Sequence, residues 1–305
     1  MGVSPVFCVV GPTASGKSHL ALGLAKEIGG VIINADSLQV YKDLPLLTAR
    51  PSPQDEAHVA HHLYGFLGPH DTYSVARWLE DVAPLLARLT QEGRPVIFVG
   101  GTGLYIKALL EGLAPVPAID PDTRAHVRTL YETQGFSALQ GLWNEVGEDV
   151  LGPCPKDPQR AQRALEVYLA TQRPLAFWQK ATQQPLAPKA KIIYAVRPKD
   201  QLLERAQARL EAVFDPSRQE MEALMAMDPN LETAPLMQAL GAKELLALVQ
   251  GTMSRKEALT QAFIRTRQYI KRQNTWFRHQ LRDPLVLDPQ KDMAHIIEEI
   301  TRHNP

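Results

Sequence analysis

The stretch VVGPTASGKSHLALGLAKEIGGVIINADSLQVYKDL, residues 9–44, decides how the rest of the chain is read. Gly11, Pro12, Thr13, Ala14, Ser15, Gly16, Lys17 and Ser18 satisfy the pattern G-x-x-x-x-G-K-[ST] in full. An apolar run precedes them, and HLALGLAKEIG follows, with Leu20, Leu24 and Ile28 on one helical face. That order makes a phosphate cradle. Glycines let the backbone wrap an anion, successive N–H groups and the helix dipole hold its charge, Lys17 adds a cation, and the Ser18 hydroxyl can ligate Mg²⁺. The loop alone does not distinguish bound nucleoside triphosphate from a diphosphate leaving group.

Working outward, four β-rich runs at residues 5–11, 31–35, 95–101 and 191–197 alternate with helical stretches. Each is too continuously apolar for a strand with one wet face, so the expected fold is α/β, a P-loop-type parallel sheet flanked by helices. Between the third and fourth runs lie about 80 residues without a strand signal. There Asp120-Pro121 and Asp157-Pro158 each place a capping acid before a proline at the first helical position. The expected organisation is therefore a core begun in residues 1–114, an inserted all-helical domain at 115–188, and core completion with basic C-terminal helices at 189–305.

Composition narrows the function. The chain has 305 residues, 45% of them hydrophobic, 22% charged, with a formal net charge of zero and two cysteines. No apolar run reaches the roughly 20 residues of a membrane helix. The stretch MGVSPV lacks a charged n-region and has Val6 where a myristoylation signal wants Ser or Thr. Two cysteines offer neither a disulfide framework nor a zinc site. A cytoplasmic protein with no membrane partner is expected. Zero net charge argues against a coat for nucleic acid and leaves room for a local basic surface.

Asp36 follows VIINA, at the carboxyl end of a neighbouring strand, where open α/β sheets put their ligands. A carboxylate there can accept a proton from a nucleophile lying in line with the phosphate-loop ligand. It can equally cap the next turn with Ser37, or hold a substrate hydroxyl as in a small-molecule kinase. The third run ends in Gly-Gly-Thr-Gly, which brings the Thr102 hydroxyl to the same sheet edge. Those glycines stand where an ATP hydrolase carries a carboxylate, and the sequence shows no arginine-rich lid near the core. Both features count against ATP-dependent phosphoryl transfer.

GPTASGKS, INADSLQVYKDL, FVGGTGLYIKALLEG, DPQRAQRALEVY and KRQNTWFR, in this order and spacing, closely resemble the bacterial tRNA dimethylallyltransferase family, also called isopentenyl-tRNA transferases. The similarity runs nearly end to end. It implies transfer of the dimethylallyl group of dimethylallyl diphosphate to N6 of the adenosine 3′ of the anticodon, tRNA position 37, with Mg²⁺. On this resemblance the loop holds the donor's diphosphate, with Thr13 and Lys17 gripping it and Ser18 on the metal. Asp36 takes the N6 proton, and Thr102 lies in the same channel. Asp36, Ser37, Leu38 and Gln39 line the tRNA contact, and the target base is flipped out of its stack.

The resemblance also assigns tRNA contacts to Arg124 and to the segment Gln159, Arg160, Ala161, Gln162 and Arg163. Residues 255–282 carry eight Lys or Arg against Glu257 alone, with an apolar stripe expected at Leu259, Phe263, Ile270, Phe277 and Leu281. That leaves Arg265, Arg267, Lys271, Arg272 and Arg278 for other faces, and Lys271, Arg272 and Arg278 are the expected tRNA contacts. Two positions depart from the family pattern, Leu47 for Gly and Ala242 for Tyr, which clouds the roles of Arg50 and Lys243. A monomer is expected. The competing readings are an isopentenyltransferase of free adenine nucleotides, a P-loop small-molecule kinase that binds ATP, and a non-catalytic RNA-binding module.

Overall fold

The computed structural model describes residues 4–181 and 184–289, together with Ile297, Glu298 and Ile300. Among them, six strands form one sheet: β1 (Val6–Val10), β2 (Val31–Asn34), β3 (His61–His62), β4 (Val96–Gly100), β5 (Lys191–Ala195) and β6 (Leu285–Leu287). Their order is β3-β2-β4-β1-β5-β6, and every pairing is parallel. The four strands read from the sequence are present with trimmed ends. β3 and β6 escaped that reading because two or three residues carry no alternation. They exist by pairing with Ile32 and Ile33 and with the run from Ile193 to Ala195.

The central strands are shielded from solvent on both faces: Cys8, Val9, Val31, Ile33 and Val96 are fully buried. On one face the phosphate-loop helix, Lys17–Ile28, packs Leu20, Ala21, Leu24 and Ala25 onto Ile32, Ile97 and Val99. Each such leucine contributes roughly 1.5–3 kcal/mol of burial. Elsewhere in the core, Trp78 of the helix Val75–Gln91 stacks on Tyr105, with ring centroids 4.8 Å apart, and meets the edge of Phe98. Its indole N–H donates to the Asn34 carbonyl at 2.8 Å, which pins the end of β2 two residues before Asp36. The chain leaves β1, passes over β4 to β2, and later returns to fill β5 on the other side of β1. Such a reversal opens a crevice at the carboxyl ends of the strands.

The chain divides into two compact units, Met1–Leu110 with Ala187–Pro305, and Glu111–Leu186. The second is helical around Val127, Leu139, Trp143 and Leu165. Its helices Pro121–Gln134 and Pro158–Thr171 start at the expected caps, where Asp120 accepts from the Thr123 N–H at 2.8 Å and Asp157 from the Arg160 N–H at 3.0 Å.

Helix Lys199–Met227 carries an internal proline, and helix Arg255–Gln280 departs from the expected stripe. Helix Lys199–Met227 runs straight through Pro216, because Phe214, Ser217, Met221 and Leu224 are all buried along it and outweigh the lost backbone bond. In helix Arg255–Gln280 the buried line is Ala258, Ala262, Thr266, Ile270, Gln273 and Phe277. Leu259 and Phe263 only flank it, so the packed face is rotated and includes two polar residues. Leu47 and Ala242, the two departures from the family pattern, fall in one buried cluster.

Candidate active site

The phosphate loop turns its N–H groups inward by two left-handed residues, Ala14 at φ 67° and Gly16 at φ 93°. The carbonyls this turns outward are met by arginines from the far end of the core. Arg197 Nε donates to the Ser15 carbonyl at 2.9 Å, and Arg205 Nε to that of Ala14 at 3.2 Å. Ser15 Oγ and Arg197 Nη1 are buried beside the loop without a hydrogen-bond partner among the described residues. Orphaned donors at a phosphate loop fit an anion. Lys17 Nζ rests on the Pro12 carbonyl at 3.4 Å. Desolvation lowers its pKa below the usual lysine value, opposed by the Asp36 charge and reinforced by Arg209.

Asp36 and Thr102 converge from β2 and β4. Asn34, fully buried, fixes the backbone of Asp36 from both sides, accepting its N–H at 2.8 Å and donating to its carbonyl at 2.9 Å. Asp36 Oδ1 accepts the Leu38 N–H at 3.0 Å, so the carboxylate closes a tight turn with one oxygen. The turn-capping alternative is thus half of the answer, with Leu38 rather than Ser37 as partner. Thr102 Oγ1 accepts the Ser37 N–H at 3.0 Å and lies 3.3 Å from Ser37 Oγ, tying the tip of β4 to that of β2.

One cavity is lined by Thr13, Asp36, Arg209 and Tyr269, with Leu38, Leu47, Leu210 and Val213 as apolar wall. Arg209 donates to the Leu47 carbonyl at 2.7 Å; burial lowers its pKa and the Asp36 charge partly restores it. Tyr269 sits within hydrogen-bonding reach of Gln273 and Thr102, and burial, then Asp36, push its phenol up. Arginines that the sequence reading left out bear on the site: Arg197, just after β5, and Arg205 bond the loop carbonyls, while Arg209 on helix Lys199–Met227 lines the cavity beside Asp36. Asn34 and Gln273 were missed as well, although a polar residue inside an apolar strand or a buried helix stripe is the signal that finds such residues.

For Mg²⁺, Ser18 is exposed on the first turn of its helix. The described residues contain no cluster of three or more His, Cys, Asp or Glu to hold a metal. The donor set fits an ion that takes most ligands from phosphate oxygens and water, the usual habit of magnesium. Arg50 shares a second cavity with Ser18, but its Nη1 is engaged by the Lys42 carbonyl at 2.9 Å. Lys243 is exposed.

Among the expected RNA contacts, Gln39 uses its amide on the Thr48 and Ala49 carbonyls, at 2.9 and 2.8 Å. Lys271, Arg272 and Arg278 are exposed, with the Arg272 guanidinium 5.6 Å from the Tyr269 ring centroid. Arg265 is instead engaged, at 2.7 Å, with Glu244, which is 3% exposed. In the helical unit Arg124, Gln159 and Arg160 are exposed, and Arg163 pairs with Glu166 at 3.4 Å. Gln162 is half-buried. Ala161 is a correction: it is wholly buried in the helical core, because its place in the helix turns it away from the face bearing Arg160.

The family model described as IPP transferase matches residues 39–280, and that described as isopentenyl transferase matches residues 4–64. A tRNA dimethylallyltransferase of Azorhizobium caulinodans is 44% identical over 90% of this chain and 89% of its own. The crystal structure of a tRNA isopentenylpyrophosphate transferase from Staphylococcus epidermidis superposes with a TM-score of 0.69 at 28% identity, covering 98% of both chains. A eukaryotic dimethylallyltransferase acting on tRNA shares the fold, with a TM-score of 0.76 at 22% identity over 99% of this chain and 81% of its own.

Proposed function

The chain belongs to the IPP transferase family, and we propose that it acts as a tRNA dimethylallyltransferase through the residues gathered around Asp36. The observation that carries this is the shared cavity, in which a carboxylate, a phosphate-loop threonine and an arginine face one another across an apolar wall. A five-carbon allylic donor needs both the polar groups, for its diphosphate, and the apolar wall, for its hydrocarbon.

In this reading dimethylallyl diphosphate lies with its diphosphate on the loop and its hydrocarbon against Leu38, Leu47 and Leu210. The N6 nitrogen of the adenosine 3′ of the anticodon attacks the allylic carbon as the C–O bond breaks. Asp36 accepts the N6 proton through the oxygen not engaged by Leu38. Lys17, Arg209 and the loop N–H groups stabilise the charge gathering on the departing diphosphate. Mg²⁺ held in part by Ser18 would supply further neutralisation of that diphosphate. Thr102 keeps the Asp36 turn against β4. The target base has to leave its stack to reach a half-buried carboxylate, which supports base flipping.

Basic residues of helix Arg255–Gln280 and of the helical unit supply phosphate contacts for the anticodon stem-loop. No described helix is long and apolar enough to cross a membrane. The test is mass spectrometry of nucleosides from unmodified tRNA incubated with protein, Mg²⁺ and dimethylallyl diphosphate, beside free AMP. Isopentenyladenosine in tRNA alone is the expected result; product on AMP alone would reassign the acceptor, and product on neither would reject the prenyltransferase.

A further inference from the structure

Gln273 interrupts the buried face of helix Arg255–Gln280, where Ala258, Ala262, Ile270 and Phe277 are apolar. It is 6% exposed, and both ends of its carboxamide are engaged. Oε1 accepts from the Thr13 N–H at 2.9 Å and from Thr13 Oγ1 at 3.3 Å, while Nε2 donates to the Gly101 carbonyl at 3.0 Å. A Cβ on Gly101 would stand 2.3 Å from Nε2, and one on Gly103 would stand 2.4 Å from the Trp276 ring. The glycines of the Gly-Gly-Thr-Gly turn therefore admit this helix. Thr13 belongs to the phosphate loop; Gly101 precedes Thr102, whose hydroxyl holds Ser37 beside Asp36. One side chain thus spans the two halves of the site.

We propose that Gln273 is a positioning residue for the transfer step, fixing the separation between the phosphate loop and the strand tips carrying Thr102 and Asp36. The proposal rests on the dimethylallyl-transfer reading of this site. In-line displacement needs the reacting atoms about 3–3.5 Å apart, and a misplacement of 1 Å can cost about 100-fold in rate. A loop no longer tied to the strand tips still binds diphosphate through its own N–H groups, and the basic face still binds RNA. The loss falls on kcat.

Two variants test this, read by transfer kinetics, affinity for an anticodon stem-loop and thermal melting. For Gln273→Leu, kcat is expected to fall about 10- to 100-fold, with KM for dimethylallyl diphosphate and stem-loop affinity near wild type. Gln273→Glu supplies a spectroscopically silent but titratable copy. Ionised, it accepts from Thr13 but offers the Gly101 carbonyl no proton; protonated, it restores both contacts. Burial and the neighbouring Asp36 carboxylate raise its pKa, the Lys17 and Arg209 cations beyond Asp36 oppose that rise, and Tyr269 stays neutral. The ratio of its kcat to that of wild type therefore rises as pH falls. A merely structural role lowers the melting temperature and leaves that ratio flat. Wild-type kcat in Gln273→Leu, or a flat ratio in Gln273→Glu, overturns the proposal; if the Leu variant does not fold, the ratio decides alone. Absence of transfer by the wild type would reject the underlying function instead.

Discussion

Asp36 holds a turn with one oxygen and faces the cavity beside Thr13 and Arg209, so its structural and chemical roles can be separated. Asn at position 36 keeps an acceptor for the Leu38 N–H and loses the base. Asp36→Asn should therefore melt like wild type and bind tRNA, while turnover drops about 10²- to 10⁴-fold, checked by circular dichroism and single-turnover transfer. Lys17 gives a pH prediction. Its pKa lies below 10.5 in the free protein because desolvation disfavours the ammonium. Raising pH through that lowered value removes the cation before diphosphate arrives, so affinity for dimethylallyl diphosphate should decline on the alkaline side earlier than for an ordinary lysine. Arginine does not titrate there. The decline should be missing from Lys17→Arg in calorimetric titrations.

At the scale of elements, helix Arg255–Gln280 has two duties. Its inner line docks on the Gly-Gly-Thr-Gly turn through Gln273 and Trp276. Gly103→Ala should push the Trp276 ring off and destabilise the protein by about 1–3 kcal/mol, read from chemical denaturation. Arg265 belongs to the docking and not to the outer face: Arg265→Ala leaves Glu244 buried with neither oxygen satisfied. Because Arg265 is half-exposed and screened, the expected loss is about 1–2 kcal/mol, and tRNA affinity should not change. The rotated stripe was illegible in the sequence because Leu259 and Phe263 are larger than Ala258 and Ala262, and size drew the eye from the face that packs.

For the whole molecule, a net charge of zero hides a basic helix, so affinity for tRNA should be strongly salt-dependent while non-specific retention of acidic polymers stays modest. Replacing Lys271 and Arg272 together by Gln should reduce the slope of log affinity against log salt by about 2, one for each phosphate contact, with kcat at saturating tRNA unchanged. Equilibrium binding across a salt series checks it. The helical unit Glu111–Leu186 has its own buried core, and Gln159 and Arg160 lie exposed on it.

The phosphate loop, the parallel core strands, the helix starts at Asp120 and Asp157, and the placing of Asp36 and Thr102 at one sheet edge are all legible in the order of residues alone. These are local matters: backbone chemistry, capping and burial of continuous apolar runs are written in neighbouring residues. Packing of distant segments brings Arg197 and Arg205 to the loop carbonyls and Arg209 to the cavity beside Asp36, sets Asn34 on Asp36, and joins Thr13 to Gly101 through Gln273. Thr13 and Gln273 are 260 residues apart in the chain. Their hydrogen bond follows from how a long helix seats on two glycines, a matter of packing that no local pattern of residues encodes.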